Sequence, residues 1–498
     1  MDRREFLKIL SFLPIFSSIK VKNARRSVLK DEYFKIFGLA QEEINKILSF
    51  ALKKGGDFSE LYLEYTLSSH LKMEEGQLKE PSISIKKGAG VRVISGERVG
   101  YSFTESLDIE DLKKIAEISS SIAKMGAGNV NIFLNRQTYK RYYPEDPVSS
   151  IKAKDKIELL QRGFDKGIRG KNVIRVTTTY SDSIKLIIIA NSDGTLTYDY
   201  QPLLRYNVEI IAEKNGQRVR GYEGGGGRLG IEYFEKVPPE RIAEEALRQA
   251  SLQLEADESP AGEFEVILAA GDSGVLLHES IGHPLEGDFN RKKTSAFSDR
   301  IGERVACSEC TIIDSGTIPN LRGSINIDDE GNPSKKNVLI EKGVLKGYMH
   351  DRISSKYFNV PPTGNGRRES YKYPPIPRMT NTYMDSGKYS PEEIIKSVKK
   401  GIYVKSYSGG EVDISSGDFV FKATEAYLIE KGKITKPLKG VTLIGNGPNI
   451  LTKITMVGND LKFSDGKWTC GKDGQSVPVG VGMPTVKVKK LTIGGTTF

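Results

Sequence analysis

Leu277-His278-Glu279-Ser280-Ile281-Gly282-His283-Pro284-Leu285-Glu286-Gly287-Asp288 holds two of the chain's four histidines, with a glutamate directly after the first. Neutral imidazoles are common zinc ligands, and a carboxylate beside a metal can activate water. The spacing, H-E-x-x-x-H, is one residue longer than the H-E-x-x-H of helix-borne zinc peptidase sites. On a regular α-helix, residues i and i+4 lie about 40° apart around the axis, whereas i and i+5 lie about 140° apart. A straight helix cannot present His278 and His283 to one ion. The sequence supplies a reason for distortion: Gly282 is conformationally permissive, and Pro284 biases His283 away from helical torsions. A π-type turn, or a helix that stops at Gly282, swings His283 back towards His278. Two histidines beside a carboxylate also occur as ordinary hydrogen-bonded residues, and spacing alone leaves both readings open.

Outward from this stretch, residues 264–270 (FEVILAA) read as a buried strand. Gly271-Asp272-Ser273-Gly274 is the turn, with Asp272 or Ser273 expected to cap the helix that carries the motif. Beyond the motif the chain is mostly short strands and glycine turns. The exception is a helix opened by the capping box Ser390-Pro391-Glu392-Glu393 and running to Lys400. Before the motif, the acidic segment 255–262 (EADESPAG) marks a domain boundary. N-terminal to it, helical periodicity covers 40–54, 108–124, 150–167 and 238–254. Strand patterns cover 61–65, 82–86, 90–95, 99–103, 173–180, 184–191, 195–200 and 204–213. The predicted class is α+β. An N-terminal α+β domain with antiparallel sheet spans 31–260, divisible near a loop at 129–148. A C-terminal β-rich domain spans 261–498 and carries the short distorted metal-binding helix.

Composition narrows the function. The 498 residues are 38% hydrophobic and 28% charged, as in ordinary globular proteins. No apolar run is long enough to span a bilayer. The net charge is +10, of which residues 1–30 hold +6, leaving a modest +4 elsewhere. No basic and aromatic cluster points to nucleic acid. Asp2-Arg3-Arg4-Glu5-Phe6-Leu7-Lys8 followed by the apolar segment 9–19 reads as a twin-arginine leader. Export to the periplasm or another extracytoplasmic space is the expectation, with a cytoplasmic location as its alternative. A catalytic zinc needs a third protein ligand and an open position. Cys470, His350, Glu286, Asp288 and the C-x-x-C pair Cys307/Cys310 compete for that role. Gly224-Gly225-Gly226-Gly227-Arg228 reads as a flexible turn or as backbone that a ligand can approach closely.

Three separated blocks extend this reading: HESIGHPLEGDFNRKKTSAFSDRIGERVA (278–306), GNGRRESYKYPPIPRMTNTY (364–383) and CGKDGQSVPVGVGMPT (470–485). In this order they resemble the signature of the TldD/PmbA family of zinc metalloproteases, and of its TldD branch, over residues 35–498. The resemblance implies one Zn²⁺ per active subunit, bound by His278, His283 and Cys470, with Glu279 as general base. It implies small or unfolded peptide substrates, cleaved inside a homodimer or a heterodimer with a PmbA-like subunit. The sister branch lacks H-E-x-x-x-H, so a non-catalytic regulatory or scaffold subunit is the alternative. Glu286 and Asp288 are expected to hold the ligands from behind. The glycine run with Arg228 recurs in the family. Gly225, Gly226, Gly227 and Arg228 are therefore expected to bind an extended peptide as an added strand.

Overall fold

The computed structural model describes residues 34–123, 132–139, 148 and 151–495. The expected leader over 1–30, and most of the expected loop over 129–148, lie outside the described residues.

The N-terminal region is built on a seven-stranded sheet, which runs in the order Arg98–Thr104, Gln77–Ser95, Phe58–Glu74, Val173–Asn191, Thr195–Lys214. Asn135–Arg136 and Gln217–Gly227 both pair with Thr195–Lys214. All neighbours are antiparallel except Asn135–Arg136. The strands are longer than their sequence pattern indicates. Val173–Asn191 is one strand of 19 residues, although Ser181-Asp182-Ser183 reads as an interruption. Asp182 is instead buried and paired with Lys156 at 2.5 Å. Likewise the gap left between the predicted strands 82–86 and 90–95 is closed, and Gly88 and Gly90 both lie inside Gln77–Ser95. A Cβ on Gly88 would sit 2.4 Å from the Tyr371 ring, and one on Gly90 2.0 Å from the Tyr101 hydroxyl. Their missing side chains make room for another segment of chain.

Side chains alternate between the two faces of a strand. One face of this sheet carries Leu61, Leu63, Ile184, Ile188 and Leu196 at one end and Met73, Val176, Tyr206 and Ile210 at the other. Helices Gln41–Ala51 and Ile109–Ala123 cover the first cluster. Helices Ala153–Ile168 and Pro239–Glu255 cover the second. The opposite face presents Glu60, Tyr62, Glu64, Ile187 and Ile189 to the C-terminal region, where Ile327 and Tyr371 pack on them. This junction is ionic as well as apolar. Glu60 pairs with Arg92 at 2.6 Å and with Arg368; Arg92 pairs with Glu330 at 2.7 Å. Tyr62 Oη donates to Asp329 Oδ1 at 3.1 Å.

In the C-terminal region, Lys400–Val412, Gly262–Leu268, Val486–Gly494, Thr442–Asn446 and Asp418–Glu430 pair in that order. Lys400–Val412 also pairs with Asp418–Glu430, which closes the ring. The predicted strand at 264–270 is thus a wall of a small closed barrel. A second sheet includes Ile312–Ser315, Asn381–Met384 and Gly480–Met483. The Ser390 capping box forms as expected, with Glu393 N–H donating to Ser390 Oγ and Ser390 N–H to Glu393 Oε2. Its helix ends at Lys396, short of the predicted Lys400, because Lys400 already starts a barrel strand. The architecture is α+β with a β-rich C-terminal region, as the sequence indicates.

Candidate metal centre

Gly274–Leu277 is a single α-helical turn that leads directly into a π-helical turn, His278–Gly282. Neither predicted cap forms. Ser273 Oγ faces the Tyr407 hydroxyl at 3.2 Å, and Asp272 pairs with Lys467 at 2.8 Å. The His283 N–H donates to the His278 carbonyl, an i to i+5 bond that places residues five apart on one face. The two imidazole centroids lie 5.1 Å apart. The distortion has a different origin from the one predicted. His283 keeps helical torsions, φ −58° and ψ −47°, despite Pro284, which opens a 3₁₀ turn. Gly282 is also helical, with φ −60°. It is needed for space: a Cβ there would lie 2.0 Å from Met379 Sδ.

Cys470 comes from a two-stranded hairpin, Thr469–Lys472 against Gln475–Pro478. Asp473 and Gly474 at its tip both have positive φ, as a tight two-residue hairpin turn requires. Buried guanidinium groups hold the hairpin by its backbone. Arg378 Nη2 donates to the Cys470 carbonyl at 2.7 Å, and Arg367 Nη2 to that of Pro478 at 2.9 Å. Arg322 Nε donates to the carbonyl of Trp468 at 3.0 Å. These arginines were not among the candidates. Arg367 and Arg378 lie within the 364–383 block, which was their sequence signal; Arg322 lies outside all three blocks and had none.

The fold thereby joins His278, His283 and Cys470. Their ligand atoms all lie within 4.8 Å of one another, and all three residues are buried. Cys470 Sγ is 3.3 Å from His283 Nε2. Neither ring nitrogen of His278 has a hydrogen-bond partner. A buried imidazole without any partner is costly, and a cation bound at one ring nitrogen offsets part of that cost. Two nitrogens and a thiolate suit zinc, and the edge of a tetrahedral N–Zn–S arrangement is about 3.6 Å. Burial opposes ionisation of Cys470, but the imidazoles of His283 and His278 outweigh it and hold the thiol well below its usual pKa. Burial likewise lowers the pKa of His283, yet Glu286 and the Cys470 sulfur hold it well above normal.

Glu286 lies behind the histidine. Its Oε2 is 3.0 Å from His283 Nδ1, which leaves Nε2 turned towards Cys470. Lys472, two residues after Cys470, donates to Glu286 at 3.0 Å, Asp288 at 2.8 Å and the Pro377 carbonyl at 3.0 Å. Burial would raise the Glu286 pKa, but Lys472 and His283 bring it down to about 2. Burial dominates at Asp288 and raises its pKa. Lys472, like the three arginines, is a residue that sequence reading passed over. It ties the hairpin to the histidine motif. Glu279 is the opening to solvent: its side chain is 25% exposed, and its Oε2 lies 3.7 Å from His283 Nε2.

The other candidates fall elsewhere. His350 is buried with Nδ1 unpartnered and is outside the three-residue cluster. Cys307 and Cys310 face each other at 3.2 Å. Gly224–Gly227 form the end of a strand paired with Leu204–Asn207. On its other side Gly226 N–H donates to the Asp465 carbonyl at 2.9 Å, and Arg228 N–H to that of Asn320 at 3.0 Å. Arg228 is buried, and its Nη1 donates to the Pro202 carbonyl at 3.2 Å. The glycine run thus lets the segment before Cys470 approach the N-terminal sheet.

The chain is also similar to known proteins over most of its length. Three domain profiles match: PmbA/TldA metallopeptidase domain 1 over 59–123, the central domain over 146–254, and the C-terminal domain over 261–495. A Haemophilus influenzae protein named as a metalloprotease TldD homolog is 45% identical over 468 residues, covering 92% of this chain and 97% of its own. A Saccharolobus solfataricus protein named as a zinc metalloprotease TldD homolog is 28% identical, with 90% and 99% covered. The crystal structure of TldE from Thermococcus kodakarensis superposes with a TM-score of 0.72 at 21% identity, covering 91% of this chain and all of that one.

Proposed function

From the premise that this chain belongs to the PmbA/TldA metallopeptidase family, we propose that it hydrolyses peptide bonds with zinc held by His278, His283 and Cys470. The observation that carries this reading is His278, a buried imidazole with both nitrogens free, facing a second imidazole and a thiol of depressed pKa. Zinc at such a site acidifies water and polarises a carbonyl.

The protein's own groups do the rest. Glu279 stands at the exposed side of the cluster, where its Oε2 can take a proton from attacking water and return it to the leaving nitrogen. Glu286 accepts at His283 Nδ1 and so fixes Nε2 as the ligand atom. Lys472 balances Glu286 and Asp288 and keeps the hairpin in register with the motif. The three ligands are at most 5% exposed. Such burial favours an extended or small peptide over a folded substrate. A peptide that pairs with the glycine strand at Gly226 has to displace Asp465.

The partner we propose is a second chain of this fold, either a copy or a PmbA-like subunit, in keeping with the likeness to TldE. Among the described residues no helix is long and apolar enough to cross a membrane. Export is proposed on the leader sequence alone, and fractionation of tagged full-length protein tests it.

The deciding experiment is metal analysis of wild type beside Cys470→Ser. One zinc per chain, lost in the variant, is expected; unaltered zinc overturns the ligand assignment. Glu279→Gln should keep its zinc and lose at least 10²-fold in peptide hydrolysis. Equal rates overturn the role of Glu279.

A further inference from the structure

Cys307 and Cys310 lie outside the proposed metal centre. Cys310 is fully buried, while Cys307 is partly exposed. Their Sγ atoms lie 3.2 Å apart. The turn between them is closed by the Cys310 N–H, which donates to the Cys307 carbonyl at 3.1 Å. It is also anchored from outside. Cys307 N–H donates to the Leu451 carbonyl at 3.1 Å, and Gly343 N–H donates to the Cys310 carbonyl at 2.8 Å. A backbone fixed at both ends therefore holds the two sulfurs against each other. A disulfide has an S–S length of about 2.05 Å, so closure needs only about 1 Å of side-chain movement.

The two thiols are chemically unequal. Hydrogen bonding from Cys310 lowers the Cys307 pKa to about 7; burial opposes this, and the N–H groups of Glu309 and Cys310 add to it. Cys310 moves the other way, because its proton is held by Cys307 and the site around it is buried. The exposed sulfur is the nucleophile of the pair and the buried one can resolve it.

We infer that Cys307 and Cys310 form a dithiol–disulfide exchange site, separate from the metal centre, whose substrate is the disulfide of a small thiol. The Cys307 thiolate attacks one sulfur of that disulfide. The substrate S–S bond breaks, a Cys307–S–S–R bond forms, and the first thiol leaves with a proton. Cys310 then loses its proton and attacks the Cys307 sulfur, which expels the second thiol. The chain's dithiol is oxidised to a disulfide and the substrate disulfide is reduced to two thiols.

The test treats the full-length protein with oxidised glutathione under native conditions and reads the products by mass spectrometry. Trypsin releases both cysteines together on residues 305–322 and Cys470 separately on residues 468–472. The wild-type 305–322 peptide should become two hydrogens lighter and return to its starting mass with dithiothreitol. Cys310→Ser should instead stop at a stable glutathione adduct on residue 307. Cys307→Ser, left with only the buried sulfur, should give no adduct on residue 310. A wild-type peptide that keeps both thiols free, or that carries two glutathiones, overturns the inference. So does an adduct on Cys310 in the Cys307→Ser protein.

Discussion

Gly282→Ala isolates the packing that shapes the histidine motif. The new methyl carbon would lie 2.0 Å from Met379 Sδ and 3.1 Å from its Cε. An ordinary contact is about 3.7 Å, so the sulfur has to retreat by about 1.7 Å. It has little freedom to do so. Met379 is fully buried, and its carbonyl accepts from Arg367 at 2.5 Å. On one side Arg378 holds the Cys470 carbonyl; on the other, Thr380 N–H donates to Asp314 at 2.9 Å. Overpacking of this kind costs about 1–3 kcal/mol. Against it stands the helix preference of alanine over glycine, up to about 1 kcal/mol, which is available because Gly282 already has helical torsions. The net expectation is a loss of up to about 2 kcal/mol in urea unfolding of the metal-free protein. In a Met379→Ala background the clash is gone and only the preference remains. There the same substitution should be neutral or stabilising, by up to about 1 kcal/mol. If Gly282→Ala has the same sign and size in both backgrounds, the sulfur contact is not why glycine stands at this position.

Other expectations follow from buried charge. Lys472→Met leaves Glu286 and Asp288 facing each other without their ammonium; a loss of about 3–5 kcal/mol in urea unfolding is expected, with zinc affinity down about 10–100-fold by competition with a chelator. Glu60→Gln removes the carboxylate shared by Arg92 and Arg368, and should cost about 3–5 kcal/mol in the same assay. His350 is held neutral by burial, with its pKa lowered to about 4. A depressed histidine pKa stabilises the fold above the unfolded value of about 6.5, and that share is lost as pH falls to about 4. It amounts to roughly 3 kcal/mol in wild type. Unfolding of His350→Leu, followed from pH 7 to pH 4, should lack this decline; a parallel decline refutes it.

The local chemistry was legible in the sequence. His278, Glu279 and His283 stand in one short stretch, and a five-residue spacing on an α-helix requires a distortion. The structure supplies one as a π turn. The long N-terminal helices were also legible, because a buried helical face repeats at a period that sequence displays directly; the seven-residue helices Arg352–Phe358 and Gly447–Lys453 are too short to show it and were missed. Strand extents were not. Asp182 and Gly88 fell in gaps between predicted strands, since what makes them tolerable inside a strand lies elsewhere in the chain, at Lys156 and Tyr371. The role of Gly282 was misjudged for the same reason: its torsions are ordinary, and the constraint is a sulfur 97 residues later.

What the sequence determined by itself, then, is the set of groups able to bind a metal and the need to bend one helix. Only tertiary structure decided which cysteine faces the histidines. Cys470 reaches His283 because Arg367, Arg378 and Arg322 hold its hairpin by backbone carbonyls, and Lys472 ties that hairpin to Glu286. Carbonyl oxygens are the same at every residue, so no sequence pattern marks the ones that buried arginines select. Cys307 and Cys310 carry the same thiol chemistry, yet the fold turns them towards each other.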